Sequence, residues 1–177
     1  MADAGYDLID EPRAGPLEKI AVSPTWTIWA AMSAGIWFAW PWFLINGRAL
    51  GSPTWREELR TAAIGLVGVV ALASLLTLLV DLELLRSPLA IRLSVLTIVV
   101  WKLGVSYWLF MLQSRTFHLR KFYGGTVESG LYALMVGVFL RPVVLDLVDS
   151  SLWKIIVSGV SAETRGLLGL LSGGLWP

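Results

Sequence analysis

Four separate apolar stretches constrain this chain more than any other feature. They lie near residues 25–46, 57–80, 88–112 and 127–148, and each matches the roughly 20 residues that an apolar helix needs to cross a bilayer. A soluble chain of 177 residues can bury one good core, but not four runs of that length. Composition agrees: 56% of residues are hydrophobic and 15% are charged, against roughly 25% charged in soluble domains. The expected fold is all-α, a polytopic membrane protein of four transmembrane helices (23–148). A polar, acid-rich segment (1–22) precedes them, and an amphipathic or interfacial C-terminal arm (149–177) follows.

Helix starts are marked. Ser23-Pro24, Ser52-Pro53 and Ser87-Pro88 each stand before an apolar run. Serine accepts a hydrogen bond from a free first-turn amide, and proline fits the first helical position because it has no N–H there to satisfy. In SPTWREELR, Thr54 and Glu57 also have capping-box spacing. Residues 1–22 lack the basic start and apolar core of a signal peptide, so no cleaved leader is expected. In the arm, 152–160 and 166–176 are apolar but each too short to span, which predicts interfacial or re-entrant pieces, or arms held by a partner. Cations divide evenly between the two sides of the four-span arrangement. The densest cluster, RTFHLRK in the third loop, favours loops one and three inside and both termini outside.

Lys102 lies near the centre of the third stretch, within about 3 Å of the midplane, where a lysine costs at least about 2.5–3.5 kcal/mol. At 100° per residue, Ser106 and Gln113 share its side, which makes a polar stripe facing protein or water. The stripe reads either as an ion or proton path with Glu128 and Arg141 of the fourth stretch or a counter-ion for a buried anion, or as a structural lysine that snorkels or caps backbone carbonyls of a broken helix. Pro142 predicts a kink beside Arg141.

In the first stretch Trp26, Trp29, Trp37 and Trp40 fall on one side, and Ala31, Gly35 and Ala39 on the other. Small residues at every fourth position let helix backbones approach. The tryptophan face suits an interfacial belt, a partner helix, a lipid or a flat pigment. Arg115, His118, Arg120 and Lys121 combine with aromatics in the third loop and suit anionic headgroups or plain topological anchoring.

The chain has no cysteine and a single histidine, so thiolate chemistry is excluded and His118 has no histidine or cysteine companion for a metal. GxGxxG, P-loop, HExxH and GxSxG patterns are absent. A net charge of +1 predicts no nucleic-acid partner. The expectation is a non-catalytic integral membrane subunit or scaffold of a larger membrane protein complex, with no metal or other cofactor. It would be multi-pass in a cell membrane, of the bacterial inner-membrane kind. Its partners would be membrane lipids and other integral membrane subunits or further copies of itself. The alternative is a small oligomeric channel or transporter with a polar path around Lys102. A hydrophilic cavity at Lys102 would favour the second, and a dry, protein-covered Lys102 the first.

Overall fold

A computed structural model describes residues 17–85, 87–148 and 151–157. A 3-10 turn at Glu18–Ile20 leads into six helices: α1 (Pro24–Ser33), α2 (Ile36–Ala49), α3 (Trp55–Asp81), α4 (Pro88–Phe122), α5 (Leu131–Asp146) and α6 (Ser151–Val157). The described residues form no strand, only an isolated bridge between Val22 and Glu128. The fold is all-α, as expected. Two helices, α3 and α4, are long and apolar enough to cross a membrane.

The first expected span is two helices. Gly35 sits at φ 103° and ψ 170°, a region essentially restricted to glycine. The amides of Ala34 and Gly35 both donate to Ala30 O, which ends α1, and the Trp37 indole N–H donates to Ala34 O at 2.7 Å across the break. The chain then folds back. Val22 N donates to Asn46 Oδ1 at 2.9 Å, and Ala21 packs beside Ala49 and Leu50. The ten and fourteen residues of α1 and α2 extend about 15 and 21 Å, less than the ~30 Å of a hydrocarbon core. The approach to α1 therefore lies on the same side as the connection after α2, which revises the expected placement of the N-terminal segment opposite loop one.

Helix α3 starts where the Ser-Pro signal and Thr54 place it, but without the capping box. Thr54 makes no side-chain cap; its hydroxyl and that of Ser52 turn to Glu58 instead. Helices α3 and α4 run antiparallel through a short connection. The Trp101 indole donates to Gly65 O at 3.1 Å. A Cβ on Gly65 would lie 2.6 Å from Val105 and 2.9 Å from Trp40, so α2, α3 and α4 converge there. Helix α4 runs on to Phe122, so most of the expected third loop is helical. Helix α5 has sixteen residues, about 24 Å, and runs along the α1–α2 hairpin, with Trp26 of α1 at Gly130 and Phe38 of α2 at Gly137.

The described part of the expected arm packs on the chain's own helices. Residues 151–157 form α6, whose Ile155 and Val157 are buried and which packs on α2, α3 and α5. The Trp153 indole donates to Val144 O at 2.8 Å. The rest of the arm, and residues 1–16, lie outside the described residues.

Candidate functional site

One side of α4 carries a line of buried polar residues. Lys102, Ser106, Gln113, Thr116 and Arg120 are all buried. Their spacings of 4, 7, 3 and 4 residues keep them within an arc of about 80° on a helix. The sequence reading found the first three. Thr116 and Arg120 continue the same periodicity, which a loop assignment for 114–125 concealed.

At the inner end, Lys102 is 4% exposed and donates to Ile155 O. That carbonyl belongs to α6. Ser106 Oγ donates to Lys102 O at 2.8 Å and accepts from the Trp40 indole N–H at 3.0 Å. Arg141 Nη1 donates to Ser33 O, at the end of α1, at 3.0 Å. Two cations therefore tie α4 to α6 and α5 to α1 through backbone carbonyls.

Toward the other end, Gln113 Nε2 donates to Phe43 O and, at 2.7 Å, to Glu58 Oε2. Its Oε1 accepts from Asn46 Nδ2 at 3.1 Å. Glu58 is 0% exposed. Its Oε1 accepts from Ser52 Oγ at 2.6 Å and Thr54 Oγ1 at 3.2 Å. The three donors to this buried carboxylate are all neutral. Arg120 closes the line, donating to Ala49 O at 3.1 Å and pairing with Glu18 Oε1 at 2.9 Å. Between Ser106 and Gln113 the same side of α4 carries Leu109, which is fully buried. The inner cluster and the Glu58 cluster are thus separated by an apolar side chain.

Several expected assignments change. Trp40 is 4% exposed and bonded internally, so it does not face lipid or a partner. Trp29 is 56% exposed; Trp26 packs on Gly130, and Trp37 braces the α1–α2 turn. The four do not share a face, because the helix breaks between them. Ala31 and Ala39 are buried on different helices and Gly35 is the turn itself, so the three are not one packing stripe. Arg120 is buried, whereas Arg115, His118 and Lys121 are exposed. Glu128 is exposed, in an extended segment where its N–H donates to Ala21 O at 2.9 Å, and it lines no path with Lys102. Glu58 and Asn46 escaped the sequence reading, and Ser52 entered it only as a helix-start signal, since nothing local separates Glu58 from Glu57 beside it.

No protein-family model matches the chain, no curated protein matches it, and no solved structure matches it.

Proposed function

We propose that this protein is a non-catalytic, multi-pass subunit or scaffold of a larger complex in a cell membrane. In this reading α3 and α4 cross the bilayer, while the α1–α2 hairpin and the α5–α6 pair enter part-way from either side and pack on them. Four complete crossings are not needed. The observation that carries the reading is the covered Lys102. Its ammonium reaches a backbone carbonyl of α6, and Leu109 interrupts the polar line toward Gln113. A conducting path needs water along that line; a structural lysine does not. Exposed Tyr132, Phe139 and Val143 on α5 supply apolar surface for neighbouring helices or lipid.

The test has two arms. Purification in mild detergent, followed by mass spectrometry of what co-elutes, is expected to recover an integral membrane partner in fixed stoichiometry. Liposomes containing the chain alone are expected to leak protons and small ions no faster than empty ones. A flux that Lys102→Met abolishes, with no stoichiometric partner, would replace the scaffold by the channel.

A further inference from the structure

Helices α3 and α4 leave an open groove of about 800 Å³ along their outer side, within the size range of small-molecule sites. Ile64, Gly68 and Ala71 line it from α3, and Val100, Gly104 and Trp108 from α4. The floor is Trp101, whose ring lies so close to Gly68 that a Cβ there would come within 2.5 Å. At Gly104 the groove is empty: an added Cβ would meet no atom within 4 Å. From Thr61 to Leu72 the lining spans eleven residue steps, about 16 Å along the helix. This is an apolar slot, long and narrow, lying along the helices.

Its mouth is charged. Arg115 follows Trp108 by seven residues, so it falls on the groove side of α4. Arg60 precedes Ile64 by one turn on α3, with Arg56 one turn further out. All three are exposed, and none forms an ion pair or hydrogen bond with a described residue. Glu57, also exposed and one turn before Thr61, is the opposing charge. Arg60 and Arg115 against Glu57 leave the mouth net positive above an apolar slot, while Arg56 lies about a further 40° around α3, away from the lining.

We propose that this groove binds one anionic phospholipid. An acyl chain lies over Trp101 and Gly104, and the phosphate lies between Arg60 and Arg115. A polar ligand would match the mouth and waste the slot. An apolar helix would fill the slot and leave the arginines unmatched. The inference rests on the membrane reading above.

The protein is placed in nanodiscs of equimolar phosphatidylglycerol and phosphatidylcholine and released for native mass spectrometry. Wild type is expected to carry one phosphatidylglycerol in preference to phosphatidylcholine. Gly104→Leu, which adds side chain to the slot where a Cβ would meet no atom within 4 Å, is expected to lower retained lipid on the order of tenfold, the weight of about two displaced methylenes. It should unfold at or above the wild-type temperature, because glycine is a poor helix former. Arg60→Gln with Arg115→Gln is expected to cut the preference for phosphatidylglycerol about thirty-fold, at roughly 1 kcal/mol per arginine. Glu57→Gln is expected to raise that preference. Equal lipid on wild type and Gly104→Leu overturns the proposal, as does a preference unchanged by the arginine pair. A dimer that Gly104→Leu disperses also overturns it and assigns the groove to a second copy. Failure to enter nanodiscs at all would strike the membrane reading itself, whereas insertion without lipid preference strikes only this inference.

Discussion

Gln113 donates to the Phe43 carbonyl and to Glu58 while it accepts from Asn46. One amide therefore ties α2, α3 and α4 together. Replacing it with leucine would leave buried partners on both helices without it, each costing about 1–3 kcal/mol. Gln113→Leu is expected to lose roughly 2–4 kcal/mol, read as a lower midpoint in thermal unfolding in detergent. Glu58→Gln keeps the shape but turns one acceptor oxygen into an amide donor that meets either the Ser52 and Thr54 hydroxyls or the Gln113 Nε2 amide, so it too should destabilise. Exposed Glu57 offers the control: Glu57→Gln is expected to change stability by less than about 0.5 kcal/mol. Equal effects at 57 and 58 would mean that the burial of Glu58 carries no energetic weight. Nothing in the sequence distinguishes these two glutamates, since both lie in the first turn of α3. The packing of α2 and α4 selects one.

At the scale of elements, the α1–α2 hairpin and the α3–α4 pair obey different rules. Helices α3 and α4 follow from continuous apolar runs with starting signals. The hairpin depends on one backbone conformation at Gly35, and a run as apolar on both sides of that glycine gives no local sign of a reversal. Gly35→Ala is expected to cost about 1–3 kcal/mol because φ 103° is closed to a residue with a Cβ. Ala34→Gly next to it should be milder. The reversal also fixes topology. The chain has no cysteine, so single cysteines can be read without background. Thr25→Cys and Pro53→Cys are expected to react with a membrane-impermeant maleimide from the same side. Reaction from opposite sides would restore a first crossing and remove the hairpin from the membrane reading.

Across the whole molecule, α6 and Lys102 depend on each other. The lysine donates to the Ile155 carbonyl of α6, and α6 covers the lysine. Truncation before Ser151 exposes Lys102 to whatever replaces α6. It is expected to be strongly destabilising in the wild-type chain and less so with Lys102→Met, a coupling of about 0.5–3 kcal/mol in a double-mutant cycle. Additive effects would separate the two. By itself the sequence determined the all-α class, the two long helices, the start of α4 at Ser87-Pro88, and the side of α4 on which Lys102, Ser106 and Gln113 lie. These follow from hydrophobic run length and helical period, which are local. Only the tertiary structure decided that the first run folds back at Gly35, that Trp40 turns inward to Ser106, and that residues 151–157 sit in the core. It also decided that Glu58 is buried and Glu57 is not. Each of those outcomes depends on where another helix lies, and a residue's own neighbours in the chain carry no record of that.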